Sequence, residues 1–171
     1  MISLKNILEV EGITPYQIYC DMDGVIADFE ARFDHFFGVS PQEYEAQYGK
    51  RAFWNQIDNN IGVRFWAGIP WMPDGHQLWD YIKKYNPILL SSPSTSESSR
   101  IGKHLWAKKY MPGTKLILAF PDQKANYAGE GKILIDDRFD PNIRMWREKG
   151  GIGIHHKSAA DTIKQLKELG L

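Results

Sequence analysis

Ile18-Tyr19-Cys20 is a short apolar run that stops abruptly at Asp21-Met22-Asp23-Gly24, and this change dictates much of what the chain can become. In an extended segment, residues two apart point the same way, so Asp21 and Asp23 face one site from the end of a strand. Gly24 lets the chain turn away at once. Two carboxylates held so close repel each other unless a cation or a proton lies between them. A divalent metal removes the repulsion, and hard oxygen ligands suit magnesium. A strand end followed by an Asx-type turn is the alternative that needs no ligand.

The same pattern returns along the chain. An apolar run at 87–90 leads straight into Ser91-Ser92-Pro93, and one at 115–120 precedes Pro121-Asp122-Gln123-Lys124. A third, at 132–135, stops at Asp136-Asp137-Arg138. With the first strand at 17–21 and a weak fifth at 150–154, five strands are expected. The fifth ends at His155-His156, read as solvated strand-end residues rather than metal ligands. Helical patterns lie between them. Asp74 caps one over 74–85, Ser94 and Glu97 form a capping box for another reaching Tyr110, and Ser158 caps the last. A further helix carries Ile143, Met145 and Trp146.

Strands alternating with helices predict an α/β fold: a Rossmann-like parallel five-stranded sheet with helices on both faces. Ligands in such sheets bind beyond the carboxyl ends of the strands. Asp21/Asp23, Ser91/Ser92, Lys124 and Asp136/Asp137 all follow such ends, so one convergent site is the economical explanation. The serine cluster, beside a helix N-terminus, makes a phosphate seat; a plain polar loop is the other reading. Lys103, Lys108 and Lys109 read as a solvated helix face. Lys115 and Lys132 precede their strands, at the wrong end of the sheet.

Between the first strand and 74, the character changes. Segment 29–73 is rich in aromatics, including Phe29, Phe53, Trp54 and Trp66, and shows no strand pattern. Ser40-Pro41-Gln42-Glu43 is a capping box with proline at the first helical position. Helical pieces are expected near 41–49, 51–58 and 61–67. The chain therefore divides into an N-terminal segment 1–16 with a short amphipathic helix at 2–11, an α/β core of 17–28 and 74–171, and a helical insertion of 29–73. The 171 residues, 43% of them hydrophobic, suffice for one core with such an insertion. A formal net charge of zero implies no basic face, which argues against binding extended nucleic acid. The single cysteine, Cys20, excludes an internal disulfide and reads as a buried structural thiol. With no signal-like N-terminus and no bilayer-length apolar run, a cytoplasmic setting away from the membrane is expected.

Four of these motifs together resemble those of the haloacid dehalogenase superfamily. Asp21-Met22-Asp23-Gly24-Val25 looks like its first motif, Leu90-Ser91-Ser92-Pro93 its second, Lys124 its third and Ile135-Asp136-Asp137-Arg138 its fourth. Within that superfamily, Asp21 to Phe29 with Ser-Pro and Asp-Asp-Arg is similar to the 5′(3′)-deoxyribonucleotidase branch. The resemblance covers most of 17–156. It implies that Asp21 is a nucleophile forming an aspartyl-phosphate. Asp23 would be the general acid and then the base, and would also ligate the metal through its backbone carbonyl. Ser91 would hold a phosphoryl oxygen with help from the Ser92 amide, and Lys124 would neutralise charge. The metal set would be Asp21, Asp23, Asp136 and Asp137, with Asp137 a direct ligand and Asp136 a ligand or the holder of a metal-bound water. The insertion matches the family's small helical cap, from which Phe29, Phe53 and Trp54 would hold a base; Phe53 and Trp54 could equally be the cap's own core. Ser91 stands where those nucleotidases have threonine, and Ser94 and Thr95 stand where relatives tend to carry a lysine.

The expected function is thus Mg2+-dependent phosphomonoester hydrolysis, acting on a small phosphorylated substrate, a (deoxy)nucleoside monophosphate first. A phosphatase for nucleic-acid ends or another phosphometabolite is the alternative. A non-catalytic phospholigand-binding protein is a third reading, set back by the presence of Asp21, Asp23, Lys124 and the Asp136/Asp137 pair. A homodimer is left open.

Overall fold

The structure is a computed structural model and describes residues 15–171, so the helix expected at 2–11 lies outside the described residues. Five strands form one parallel sheet: β1 (Gln17–Cys20), β2 (Ile88–Ser91), β3 (Leu116–Leu118), β4 (Lys132–Asp136) and β5 (Ile152–His155). Their order is β3-β2-β1-β4-β5. The chain builds outward from β1 to one edge, then crosses to β4 and builds to the other. Register pairs Cys20 with Leu89 on one side and with Ile135 on the other. The strand ends carrying Asp21, Ser91 and Asp136 are therefore brought level with one another.

Alternation sorts the strand residues between two faces. Ile18, Cys20, Leu89, Ile133 and Ile135 pack on one side with Leu78 and Ile82 of α5 (Gly75–Ile82), Trp106 of α6 (Glu97–Tyr110) and Leu166 of α9 (Ala159–Glu168). Tyr19, Leu90 and Leu134 face the other way, onto Ile143 and onto Trp146 of α8 (Arg144–Glu148). Helices on both faces and strands buried on both sides give the doubly covered sheet that the alternating pattern predicts.

The segment between β1 and α5 is helical: α1 (Phe29–Phe37), α2 (Pro41–Tyr48), α3 (Lys50–Asn55) running into a wider turn Gln56–Ile61, and α4 (Val63–Ala67). The expected pieces at 41–49, 51–58 and 61–67 correspond to α2, to α3 with its wider turn, and to α4, and the Ser40–Glu43 capping box is complete. Helix α1 was not foreseen. Its signals were Asp28, which accepts from the Ala31 amide, and Gly38, left-handed at the C-cap. The two ends of the segment are tied side by side, Asp28 N–H to Pro70 O at 2.8 Å and Met72 N–H to Ile26 O at 2.9 Å. The segment's rings make their own cluster: Phe33 lies 5.0 Å from Phe53 and 5.5 Å from Tyr44.

Three local expectations are corrected by tertiary partners. Asp74 does not cap the helix that follows it; its carboxylate accepts from the Ala159 amide at 2.6 Å and so caps α9, together with Ser158. Helix α6 is capped by Ser96, not Ser94. The Ser94 hydroxyl instead donates to Asp58 in the inserted segment at 2.9 Å. His156 is not solvated: it is buried, with Nδ1 2.8 Å from the Thr162 hydroxyl, and burial lowers its pKa.

Candidate active site

A cleft of about 650 Å³ opens beyond the carboxyl ends of the strands, between the sheet and the helical insertion. Its floor includes Asp21, Asp23, Ser92, Lys124 and Asp137; its far wall includes Phe29, Trp54 and Trp66. Three buried side-chain polar atoms among the described residues find no hydrogen-bond partner: Asp23 Oδ1, Ser92 Oγ and Asn142 Oδ1. All three belong to residues lining this one cleft. Such an atom costs about 1–3 kcal/mol when left unsatisfied, so their concentration here marks a place built to receive polar atoms.

Asp21 follows β1 directly and is 7% exposed. Its Oδ1 accepts from the Met22 amide at 2.8 Å and from Lys124 Nζ at 3.0 Å. The turn behind it is held by the Ile26 and Ala27 amides, both donating to Met22 O at 2.9 Å. Gly24 has φ +77, and a Cβ there would strike the Asp137 carboxylate, so the turn requires glycine twice over. Burial raises the Asp21 pKa, opposed by Lys124.

Lys124 ends α7 (Pro121–Lys124), just past β3, and is buried to 1%. It spans Asp21 and Asp136, the latter at 2.7 Å. Burial alone would lower its pKa; the two carboxylates outweigh burial and hold it above the ordinary lysine value. Asp136 is fully buried and heavily bonded. Its oxygens accept from Lys124, from Asn142 Nδ2 at 2.9 and 3.0 Å, and from the Arg138 amide at 2.9 Å. Asp137 is the contrasting neighbour, exposed toward the cleft. Desolvation first, then the charges of Asp21 and Asp136, push its carboxyl up to about 7.

Oxygens from Asp21, Asp136 and Asp137 all lie within 4.8 Å of one another and could hold a metal ion. The donor set is all carboxylate, which suits a hard divalent cation. Three carboxylates this close repel one another, which a divalent cation between them would relieve, so the residues fit such an ion. Among the pair, Asp137 has the freer carboxylate and Asp136 the committed one. The Asp23 side chain turns away from this cluster, toward α6.

There the structure overturns one expectation. Lys103 does not lie on a solvated face; it is fully buried, with Nζ 2.5 Å from Asp23 Oδ2 and 3.0 Å from Ser91 Oγ, and 5.0 Å from the Trp66 ring centroid. The buried stripe of α6 is Ser99, Gly102, Lys103, Trp106 and Ala107. Lys103 sits four residues after Ser99 and three before Trp106, a spacing that could have placed it on the inner face. A Cβ on Gly102 would collide with Trp66, so α4 and α6 touch closely enough to seal the lysine in. Ser91 is likewise fully buried, its hydroxyl oxygen accepting from Lys103, whereas Ser92 lines the cleft and has a buried hydroxyl with no partner among the described residues.

Of the aromatic residues expected to hold a substrate, Phe29 and Trp54 line the cleft, joined by Trp66. Phe53 does not. It is 4% exposed and packed among Phe33, Phe29, Tyr44 and Trp54, in the core of the insertion. Trp66 Nε1 donates to Asp58 at 3.1 Å, the same carboxylate that accepts from Ser94, so the cleft wall is anchored to the α/β core. Asn142, which orients Asp136, had no signal in the sequence beyond its position after the Asp136-Asp137 pair.

No protein-family model matches the chain, and no curated protein matches it. Among solved structures, it is similar to a hydrolase from Streptococcus pneumoniae TIGR4, with 15% sequence identity and a TM-score of 0.51, over 90% of this chain and 100% of that one. At that identity the likeness concerns the fold, and it supports the Rossmann-like parallel sheet with its surrounding helices. Among the described residues, no helix is long and apolar enough to cross a membrane.

Proposed function

We propose that the protein is a magnesium-dependent phosphomonoesterase of the haloacid dehalogenase type that works through an aspartyl-phosphate and acts on (deoxy)nucleoside monophosphates. The observation that carries this reading is the convergence, at one cleft, of a buried carboxylate just after β1, a second carboxylate two residues on, a buried lysine after β3 and an acidic pair at the end of β4.

Asp21 is the nucleophile. The Met22 amide and Lys124 both hold Oδ1, leaving Oδ2 as the oxygen to attack phosphorus. The bond from phosphorus to the ester oxygen breaks, its electron pair stays on that oxygen, and Asp23 supplies the proton. In the second half, Asp23 takes a proton from water as the water oxygen attacks phosphorus. The bond to Asp21 then breaks and inorganic phosphate leaves. Lys124 and the Ser92 hydroxyl offset and orient the charge on the phosphoryl oxygens. Asp21 and Asp137, with Asp136 and the Asp23 backbone carbonyl, would hold Mg2+, which when bound supplies further charge neutralisation at the phosphoryl group. Phe29 and Trp54, both half-buried at the cleft wall, offer flat apolar faces for a base, a contact worth about 1–3 kcal/mol.

The test is phosphate release from a panel of nucleoside 5′- and 3′-monophosphates, sugar phosphates and a 3′-phosphorylated oligonucleotide, with and without magnesium. Magnesium-dependent release, strongest with the mononucleotides, is expected. Release only from the other esters would keep the chemistry and discard the nucleotide; release from none would discard the phosphatase.

A further inference from the structure

We propose that Lys103 is a positioning residue for both proton transfers: it clamps Asp23 Oδ2 and the Ser91 hydroxyl together so that the Asp23 carboxyl is held in one orientation at the cleft. The inference rests on the phosphoaspartate reading above and assigns a role to a lysine that reading does not use.

A fully buried ammonium is tolerated only when paired and hydrogen-bonded. Lys103 meets that condition with two partners, one on each of two strand ends: Asp23 after β1 and Ser91 at the end of β2. A side chain from α6 thus bridges the two chain segments that must present the acid and the phosphate seat to one ligand. The carboxyl of Asp23 has two oxygens in different circumstances. Oδ2 is held by Lys103, while Oδ1 is buried and has no partner among the described residues. Tilting the carboxyl would break the Lys103 contact, so the pair fixes the plane in which the carboxyl meets the cleft. Trp66 covers the lysine from the insertion, with its ring centroid 5.0 Å from Nζ, and Gly102 permits that close approach. The clamp is therefore completed by α4, the same helix whose tryptophan lines the cleft. Ser91 thus belongs to the clamp, and Ser92 is the serine that lines the cleft.

The experiment is rapid mixing of Lys103→Met with p-nitrophenyl phosphate and magnesium. Nitrophenolate leaves without needing a proton, so the first half-reaction does not depend on Asp23, whereas hydrolysis of the phosphoaspartate does. The expected result is a burst of about one equivalent of nitrophenolate at a rate within roughly fivefold of wild type, followed by steady turnover slowed about 100-fold, the usual range for a lost acid–base contribution. Ser91→Ala and Lys103→Arg, which keep a buried cation, should show the same burst with a smaller slowing, and they carry the test if Lys103→Met does not fold. An equal slowing of burst and steady state, or no slowing of either, would overturn the positioning role. A wild-type protein that turns over none of the esters refutes the phosphatase reading itself, and this inference with it.

Discussion

Phe53→Ala separates the two uses that an aromatic residue at this place can have. Phe53 is 4% exposed, 5.0 Å from both Phe33 and Trp54 by ring centroid and 6.4 Å from Phe29 and Tyr44. Truncating a phenylalanine in such a setting costs about 3–5 kcal/mol, the lost transfer energy plus the cavity left behind. For a chain of 171 residues the entropy of unfolding is about 0.36 kcal/mol/K, so the midpoint should fall by about 8–14 °C. Differential scanning calorimetry reads this directly, with Phe53→Leu recovering most of the loss because it refills the cavity. In parallel, KM for a nucleoside monophosphate and for p-nitrophenyl phosphate should change by the same factor at a temperature where the variant is folded. A midpoint within about 2 °C of wild type, with KM raised for the nucleotide alone, would refute the packing argument and return Phe53 to the substrate wall.

Other residues give sharper functional contrasts. Trp54→Ala, at the cleft wall, should raise KM for nucleoside monophosphates about tenfold and leave p-nitrophenyl phosphate nearly unchanged, as steady-state kinetics on both substrates would show. Magnesium affinity should depend on pH through Asp137. Because its carboxyl is pushed up to about 7, it holds a proton below that pH which the metal must displace. The metal-free fold responds with the opposite sign: a raised carboxyl favours the folded state at low pH, and that contribution is lost as pH rises through about 7. Titration calorimetry should therefore find affinity rising by up to tenfold per unit toward about pH 7 and levelling above it, and the thermal shift on adding magnesium should be larger at about pH 8 than at about pH 6. A pH-independent affinity would remove Asp137 from the metal set.

The strand ends were readable because their signal is local. Apolar runs that stop at Asp21, Ser91 and Asp136 state both the strand and the end of it, and a parallel sheet then brings those ends level. What was not readable depends on partners distant in sequence. Asp74 and Ser94 are good capping residues at good capping positions, but Ala159 and Asp58 claim their side chains. Lys103 looked solvated because lysine usually is. Only the 99/103/106 spacing on α6 contradicted that, and its carboxylate partner lies 80 residues away. The division of labour between Ser91 and Ser92 turns on which hydroxyl the buried lysine reaches, a fact of packing with no trace in residue type. Likewise Phe53 and Trp54 are adjacent aromatics on α3, and only the fold of the insertion decides that one is core and the other wall.

A covalent bond between Asp21 and phosphorus is what the proposed chemistry requires first. Acid quenching of the protein during turnover, followed by peptide mass spectrometry, should find one phosphoryl group on the peptide carrying Asp21, labile to hydroxylamine and lost in Asp21→Asn along with all turnover. Turnover that leaves Asp21 unmodified, or that persists in Asp21→Asn, would contradict the aspartyl-phosphate and the roles built around it.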